Sequence, residues 1–143
     1  MADAPAEIDL PEGWDPVRPG GPLALLARPR ARHSGPLRPS ITVTHAVDPT
    51  LDGTDAYVAA QLAGARAAFG GWLVHWALGH RPESHLDLAL AVDHLGVDAT
   101  VVQRHLIRPG GRAVVATGVA ADLDWPDLAP VMLRAVRSLR PAP

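Results

Sequence analysis

Apolar and polar positions change period several times along this chain. Ile41, Val43, His45 and Val47 alternate with Thr42, Thr44 and Ala46, the period of two expected of a strand with unlike faces. Before them, Ile8–Trp14 reads as a short strand running into a turn at Pro11-Glu12-Gly13. Leu23–Ala27 reads as a second, after the turn signal Arg18-Pro19-Gly20-Gly21. From Thr54 the period lengthens. Val58, Leu62, Ala65 and Phe69 fall on one helical stripe, with Thr54 placed to cap it, Asp55 in its first turn and Gly70-Gly71 to end it. The period then returns to two. Trp72, Val74, Trp76 and Leu78 oppose Leu73, His75 and Ala77; Leu86, Leu88, Leu90 and Val92 oppose His85, Asp87, Ala89, Ala91 and Asp93. Two more strands, 98–107 and 113–119, flank the turn Pro109-Gly110-Gly111. A last helix carries Leu128, Met132, Val136 and Leu139 on one stripe, with Asp124 as its cap. Pro130 lacks a backbone donor, which points to a regular helix starting there.

Strands joined by short turns pair antiparallel, and amphipathic helices must bury their stripes against the sheet. The fold expected is therefore α+β: an antiparallel β-sheet of about six strands flanked by two main α-helices. Residues 1–7 read as a disordered tip and 8–140 as a single domain. The Trp72, Val74 and Trp76 face is expected to pack beneath a helix, so that Trp76→Ala would cost about 3–5 kcal/mol.

Composition narrows the function classes. The 143 residues are 48% hydrophobic, enough for a core without disulfide or metal support. All 13 basic residues are arginine, and there is no cysteine, so disulfides and cysteine-linked lipids are excluded. A formal charge of −2 gives no general attraction to nucleic acid or acidic membranes. No apolar run approaches the roughly 20 residues of a membrane span, and the N-terminus lacks the pattern of a secretory signal. A cytoplasmic location is expected.

Candidate chemistry is sparse. His80, Glu83 and His85 bracket a proline turn, five residues from end to end, rather than sharing a helix face as zinc ligands do in H-E-x-x-H. His85 and Asp87 share a strand face, with Gln103 or His105 as possible cross-strand neighbours; such a pair is more often a solvated contact than a proton-transfer couple. The four serines sit in no nucleophile motif, and the Gly-Gly pairs match no phosphate loop. No catalytic, metal or cofactor-binding residue is assigned, and the chain is expected not to be an enzyme. The clearest asymmetry is the stretch 16–47, which holds Arg18, Arg28, Arg30, Arg32 and Arg38 with no acid before position 48 and no aromatic residue to stack bases. Arg28, Arg30, Arg32 and Arg38, with His85 and Asp87 on the sheet, are the candidate partner-binding residues, and an acidic protein is the partner they suit.

Several local signatures occur in a familiar order: Leu10-Pro11-Glu12-Gly13-Trp14 near the start, Pro39-Ser40-Ile41-Thr42-Val43-Thr44 leading into the first long helix, Gln103 in a strand before a Gly-Gly hairpin, then Ala113-Val114-Val115-Ala116-Thr117-Gly118 and a helix ending Val136-Arg137-Ser138-Leu139. Over residues 8–139 the chain resembles the Mog/PsbP-like fold, particularly the DcrB-like proteins, the Eag secretion chaperones and the actinobacterial LpqN-like proteins. The LpqN-like signal peptide and lipidated cysteine are missing from it. The resemblance implies a module that binds other proteins without chemistry, for instance a chaperone of secreted effectors. The competing expectation is a small-ligand binder or minor enzyme with a pocket between sheet and helix, holding polar groups from His75, His85 or His105.

Overall fold

The computed structural model describes residues 5–69 and 71–143. The side chain of Phe69, expected to finish the first helical stripe, and Gly70, expected to stop it, lie outside what is described. Nine strands and two α-helices are present among the described residues: β1 (Ala6–Glu7), β2 (Trp14–Val17), β3 (Leu23–Pro29), β4 (Ser40–Val47), α1 (Thr54–Phe69), β5 (Trp72–Gly79), β6 (His85–His94), β7 (Val97–Arg108), β8 (Arg112–Ala121), α2 (Trp125–Arg137) and β9 (Arg140–Pro141). The fold is α+β. One antiparallel sheet of seven strands, rather than six, runs β2-β3-β4-β8-β7-β6-β5, and β1 and β9 form a separate two-stranded ribbon.

Alternation sends neighbouring residues of each strand to opposite sides of this sheet. Val102 and Leu106 of β7 join Ile41, Val43, Val114 and Ala116 under Met132, Val136 and Leu139. Val101 and Ile107 of the same strand pack instead toward Tyr57, Val58 and Ala65 of α1. The two helices therefore cover opposite faces, α2 over the centre of the sheet and α1 over β5, β6 and β7. Gly118 permits the close seating of α2, since a Cβ there would lie 2.7 Å from Met132 Cγ.

Four expectations need correction. The first strand of the sheet is Trp14–Val17, not Ile8–Trp14: the expected turn at Pro11-Glu12-Gly13 is present, with the Trp14 amide donating to the Pro11 carbonyl at 3.3 Å and Gly13 at φ +80°, but the strand follows it instead of preceding it. Ala6 and Glu7, expected in a disordered tip, pair with Pro141 and Arg140. Helix α2 begins at Trp125 and contains Pro130; Pro126 sits in its first turn, where the missing donor costs nothing, and the Leu128 amide already donates to the Asp124 carbonyl at 3.1 Å. Asp124 is the cap residue, but its side chain makes no capping bond.

The fourth correction concerns β5. Leu73 pairs with Leu90 and His75 with Ala89, leaving Val74 as an extra bulged residue. The bulge inverts the alternation. Trp72 and His75 lie on the α2 side, whereas Leu73, Trp76 and Leu78 lie on the α1 side. The expected buried aromatic face does not exist: Trp72 is 73% exposed, Val74 67% and Trp76 47%.

Candidate functional site

Four of the six candidate binding residues converge. Strand β3 carries Arg28 on the α1 side of the sheet, opposite Asp15, at the end no helix covers. The chain leaves β3 at Pro29 and crosses to Ser40 through a loop anchored in its first half. The Arg30 amide donates to the Gly13 carbonyl at 2.8 Å, and His33 Nε2 lies 3.2 Å from Asp124 Oδ2 at the start of α2. Within the loop, Arg30 Nε donates to Asp15 Oδ1 at 2.7 Å, and Arg38 Nη2 to the Pro29 carbonyl at 2.8 Å. Arg30, Arg32, His33 and Arg38 line an open concavity of about 330 Å³. A smaller one beside it, about 180 Å³, is lined by Asp15, Val17, Leu26, Arg28 and Arg38. Arg38 borders both. Arg28 and Arg32 make no hydrogen bond or ion pair with any described residue. The loop thus offers exposed guanidiniums beside a small apolar ledge of Val17 and Leu26. This arrangement can accept carboxylates or phosphates with two-pronged hydrogen bonds.

The other two candidates lie elsewhere and are engaged internally. Asp87 accepts two bonds from Arg104, Nε at 2.8 Å and Nη2 at 2.9 Å, and the pair is mostly buried. Its cross-strand partner is Arg104, not Gln103 or His105, because the register sets Asp87 opposite position 104. His85 Nδ1 lies 3.0 Å from the Glu83 carbonyl, and the Glu83 carboxylate faces Arg108 Nε at 3.3 Å. No three His, Asp or Glu side chains gather as a metal site among the described residues.

Gln103 and His105 point to the other face and form a buried chain with α1. The Tyr57 hydroxyl lies 2.6 Å from His105 Nδ1, His105 Nε2 2.9 Å from Gln103 Oε1, and Gln103 Nε2 donates to Thr117 Oγ1 at 3.1 Å. Burial lowers the His105 pKa to about 4, only partly opposed by the charge of Asp87, and burial also raises that of Tyr57. The tyrosine therefore keeps its proton and donates to Nδ1, and the neutral imidazole donates from Nε2 to Gln103. Each of these groups has a partner within the chain, and His105 is only 3% exposed. His75 borders a gap of about 10 Å³ beside Leu133 and Arg137.

A larger cleft opens where sequence reasoning placed nothing. It measures about 480 Å³ between the β1–β9 ribbon and the α2 side of β3 and β4. Leu25, Val43, Val114 and Leu139 form an apolar floor, and Arg18, His45 and Arg140 stand at its walls. Arg140 is held by Glu7 at 3.3 Å and Asp9 at 3.1 Å. Two-residue strands carry no periodic signal, so the ribbon that roofs this cleft left no mark in the pattern.

No helix among the described residues is long and apolar enough to cross a membrane. No family model matches the sequence, and no curated protein matches it. Solved structures match the fold along nearly the whole chain. LpqN, involved in cell envelope biogenesis of Mycobacterium tuberculosis, is similar with a TM-score of 0.73 at 14% identity, covering 99% of this chain and 85% of its own. PA94 of Pseudomonas aeruginosa, described as a protein of unknown function, gives 0.64 at 18% identity, covering 100% and 87%. The cyanobacterial PsbP of Synechocystis gives 0.62 at 11%, covering 96% and 86%.

Proposed function

We propose that this chain, which has a Mog/PsbP-like fold, is a non-enzymatic binding protein that recognises an acidic segment of another protein along Arg28, Arg30, Arg32 and Arg38. One observation carries the reading. These four side chains converge from a strand and its loop onto two adjoining concavities, and two of them have no internal partner. Arginine is favoured at binding hot spots, and a loop held on a rigid sheet limits the entropy lost on binding. A chaperone that holds a secreted effector is one form such a protein takes.

The test is fluorescence anisotropy with a panel of acid-rich peptides carrying one or two apolar residues, titrated across a salt series. Wild type binds, and its affinity falls as salt rises. Replacing Arg28, Arg30 and Arg32 with serine leaves the fold intact, since exposed changes cost within about 0.5 kcal/mol, and removes both the binding and its salt dependence. Equal binding by the two proteins at every salt concentration would sink the proposal.

The 480 Å³ cleft supports a second reading, a binder of a small ligand with an apolar body and an anionic end, which Arg18 would meet. Such a ligand raises the melting temperature of wild type and of the triple serine variant alike, but not that of Arg18→Ser.

A further inference from the structure

The outer edge of β5 has the marks of a docking strand. It ends the seven-stranded sheet, and no strand pairs with its outer side among the described residues. Edge strands are usually kept from pairing by charges, proline, brevity or a bulge that turns the edge away. The opposite edge, β2, follows that rule: four residues long, with Asp15 paired to Arg30 and with Pro16 in the strand. Strand β5 is eight residues, Trp-Leu-Val-His-Trp-Ala-Leu-Gly, with no formal charge and no proline; its bulge at Val74 is its one irregularity, and pairing is regular again from His75 to Gly79.

The bulge at Val74 shapes what this edge can accept. It puts Trp72 on one side of the sheet and Trp76 on the other, both exposed, with Val74 exposed between them. A partner docking on one face would meet one indole. A strand added alongside β5 would be flanked by both, so the aromatic contacts and the free backbone groups serve one occupant.

We infer that this occupant is β5 of a second copy, paired antiparallel about a two-fold axis so that two seven-stranded sheets become one. Three observations favour a second copy. The strand is neutral, so pairing with itself sets no like charges opposite each other, as a charged edge would. Pairing about a two-fold closes after two copies, and the guarded β2 edge offers no site for head-to-tail growth. The area suffices: each indole can bury about 150–250 Å², so four half- to three-quarter-exposed indoles contribute roughly 500 Å². Two Val74 side chains and two strand backbones carry the total toward the 1,000 Å² or so that a specific interface needs.

Analytical ultracentrifugation of the whole chain, from low micromolar to submillimolar concentration, tests this. Wild type is expected at twice the mass of one chain in the upper range. Val74→Lys, at an exposed position, is expected to raise the monomer–dimer midpoint by at least about tenfold. Trp72→Lys, on the other side of the strand, does the same, so a single misfolded variant, recognised by circular dichroism, leaves the test intact. A wild type that stays monomeric throughout overturns the inference and leaves the edge to a strand from a different protein. A dimer that neither substitution weakens overturns it too, by placing the contact elsewhere. The triple serine variant of the arginine loop dimerises like wild type, so this result and that of the acidic-peptide titration are independent.

Discussion

Individual residues decide where this fold is vulnerable. His105 is neutral and buried, with a pKa of about 4 against 6.5 when unfolded. Between those values the unfolded chain binds the extra proton. The contribution of His105 is therefore complete above about pH 6.5 and is lost as pH falls toward 4. Urea titrations at several pH values should show stability falling by on the order of 2–3 kcal/mol across that window. His105→Gln should flatten the slope between pH 4.5 and 6.5; an unchanged slope would exclude His105 as its source. Leu95 makes a separate test. It sits at the tip of the β6–β7 hairpin with φ +53° and 92% exposure, a conformation that disfavours a bulky side chain and gains nothing from burial. Leu95→Asn should raise stability by about 0.5–1 kcal/mol, read as a rise of a few degrees in melting temperature. The buried chain was half legible. Gln103 and His105 stood out in the sequence, but as neighbours of His85 and Asp87. A shift of one residue in register moves a side chain to the other face, and periodicity cannot supply register. Tyr57 sits one residue before Val58, at the margin of the helical stripe, so spacing alone does not mark it as buried.

At the level of elements, the long periodic segments were readable because burial enforced their period. Strand β6 keeps strict alternation, and Met132 and Val136 of the last helix are buried as their spacing required; Leu139, expected on the same stripe, is buried as well but lies past the helix end at Arg137. Strand β5 misled because one bulged residue leaves the composition of a strand intact and inverts everything after it. Its consequence is measurable. Trp76→Ala should cost about 1 kcal/mol or less in dilute monomer, not the 3–5 kcal/mol of a buried indole. Arg104 shows how one side chain ties elements together. It holds Asp87 of β6 and also donates to the Arg137 carbonyl at the end of α2, at 2.5 Å. Arg104→Leu leaves Asp87 mostly buried without its counter-charge and should cost about 2–3 kcal/mol by chemical denaturation. Adding Asp87→Leu should recover more than half of that loss, since an apolar pair removes the stranded charge, while the helix-end contact stays lost. If the double variant is as unstable as the sum of the two single ones, the ion pair is not what Arg104 supplies.

For the molecule as a whole, the feature hardest to read was the meeting of its two ends. β1 and β9 are two residues each, yet they join positions more than 130 apart. The Ala142 amide donates to the Pro5 carbonyl at 2.9 Å, the Asp9 amide to Ser138 Oγ at 2.7 Å, and Arg140 reaches Glu7 and Asp9. The ribbon holds Ile8 and Leu10 against the core under α2 and roofs the large cleft. Pairing at such separation is costly in chain entropy, so the ribbon forms only after the sheet and α2 have brought its strands together. It should therefore be the first part to open, and either half should be useless without the other. Ending the chain at Leu139 removes β9 and frees β1. The expected loss is about 1–2 kcal/mol, or a fall of roughly 2–8 °C in melting temperature, with the amides of Ala6 to Asp9 exchanging hydrogen far faster than those of β8. Starting the chain at Ile8 should cost a similar amount. Making both truncations together should cost little more than either one, because each alone already dissolves the same ribbon. Additive losses would mean that the two ends are held separately by the core, and that the cleft between them is roofed by each segment independently.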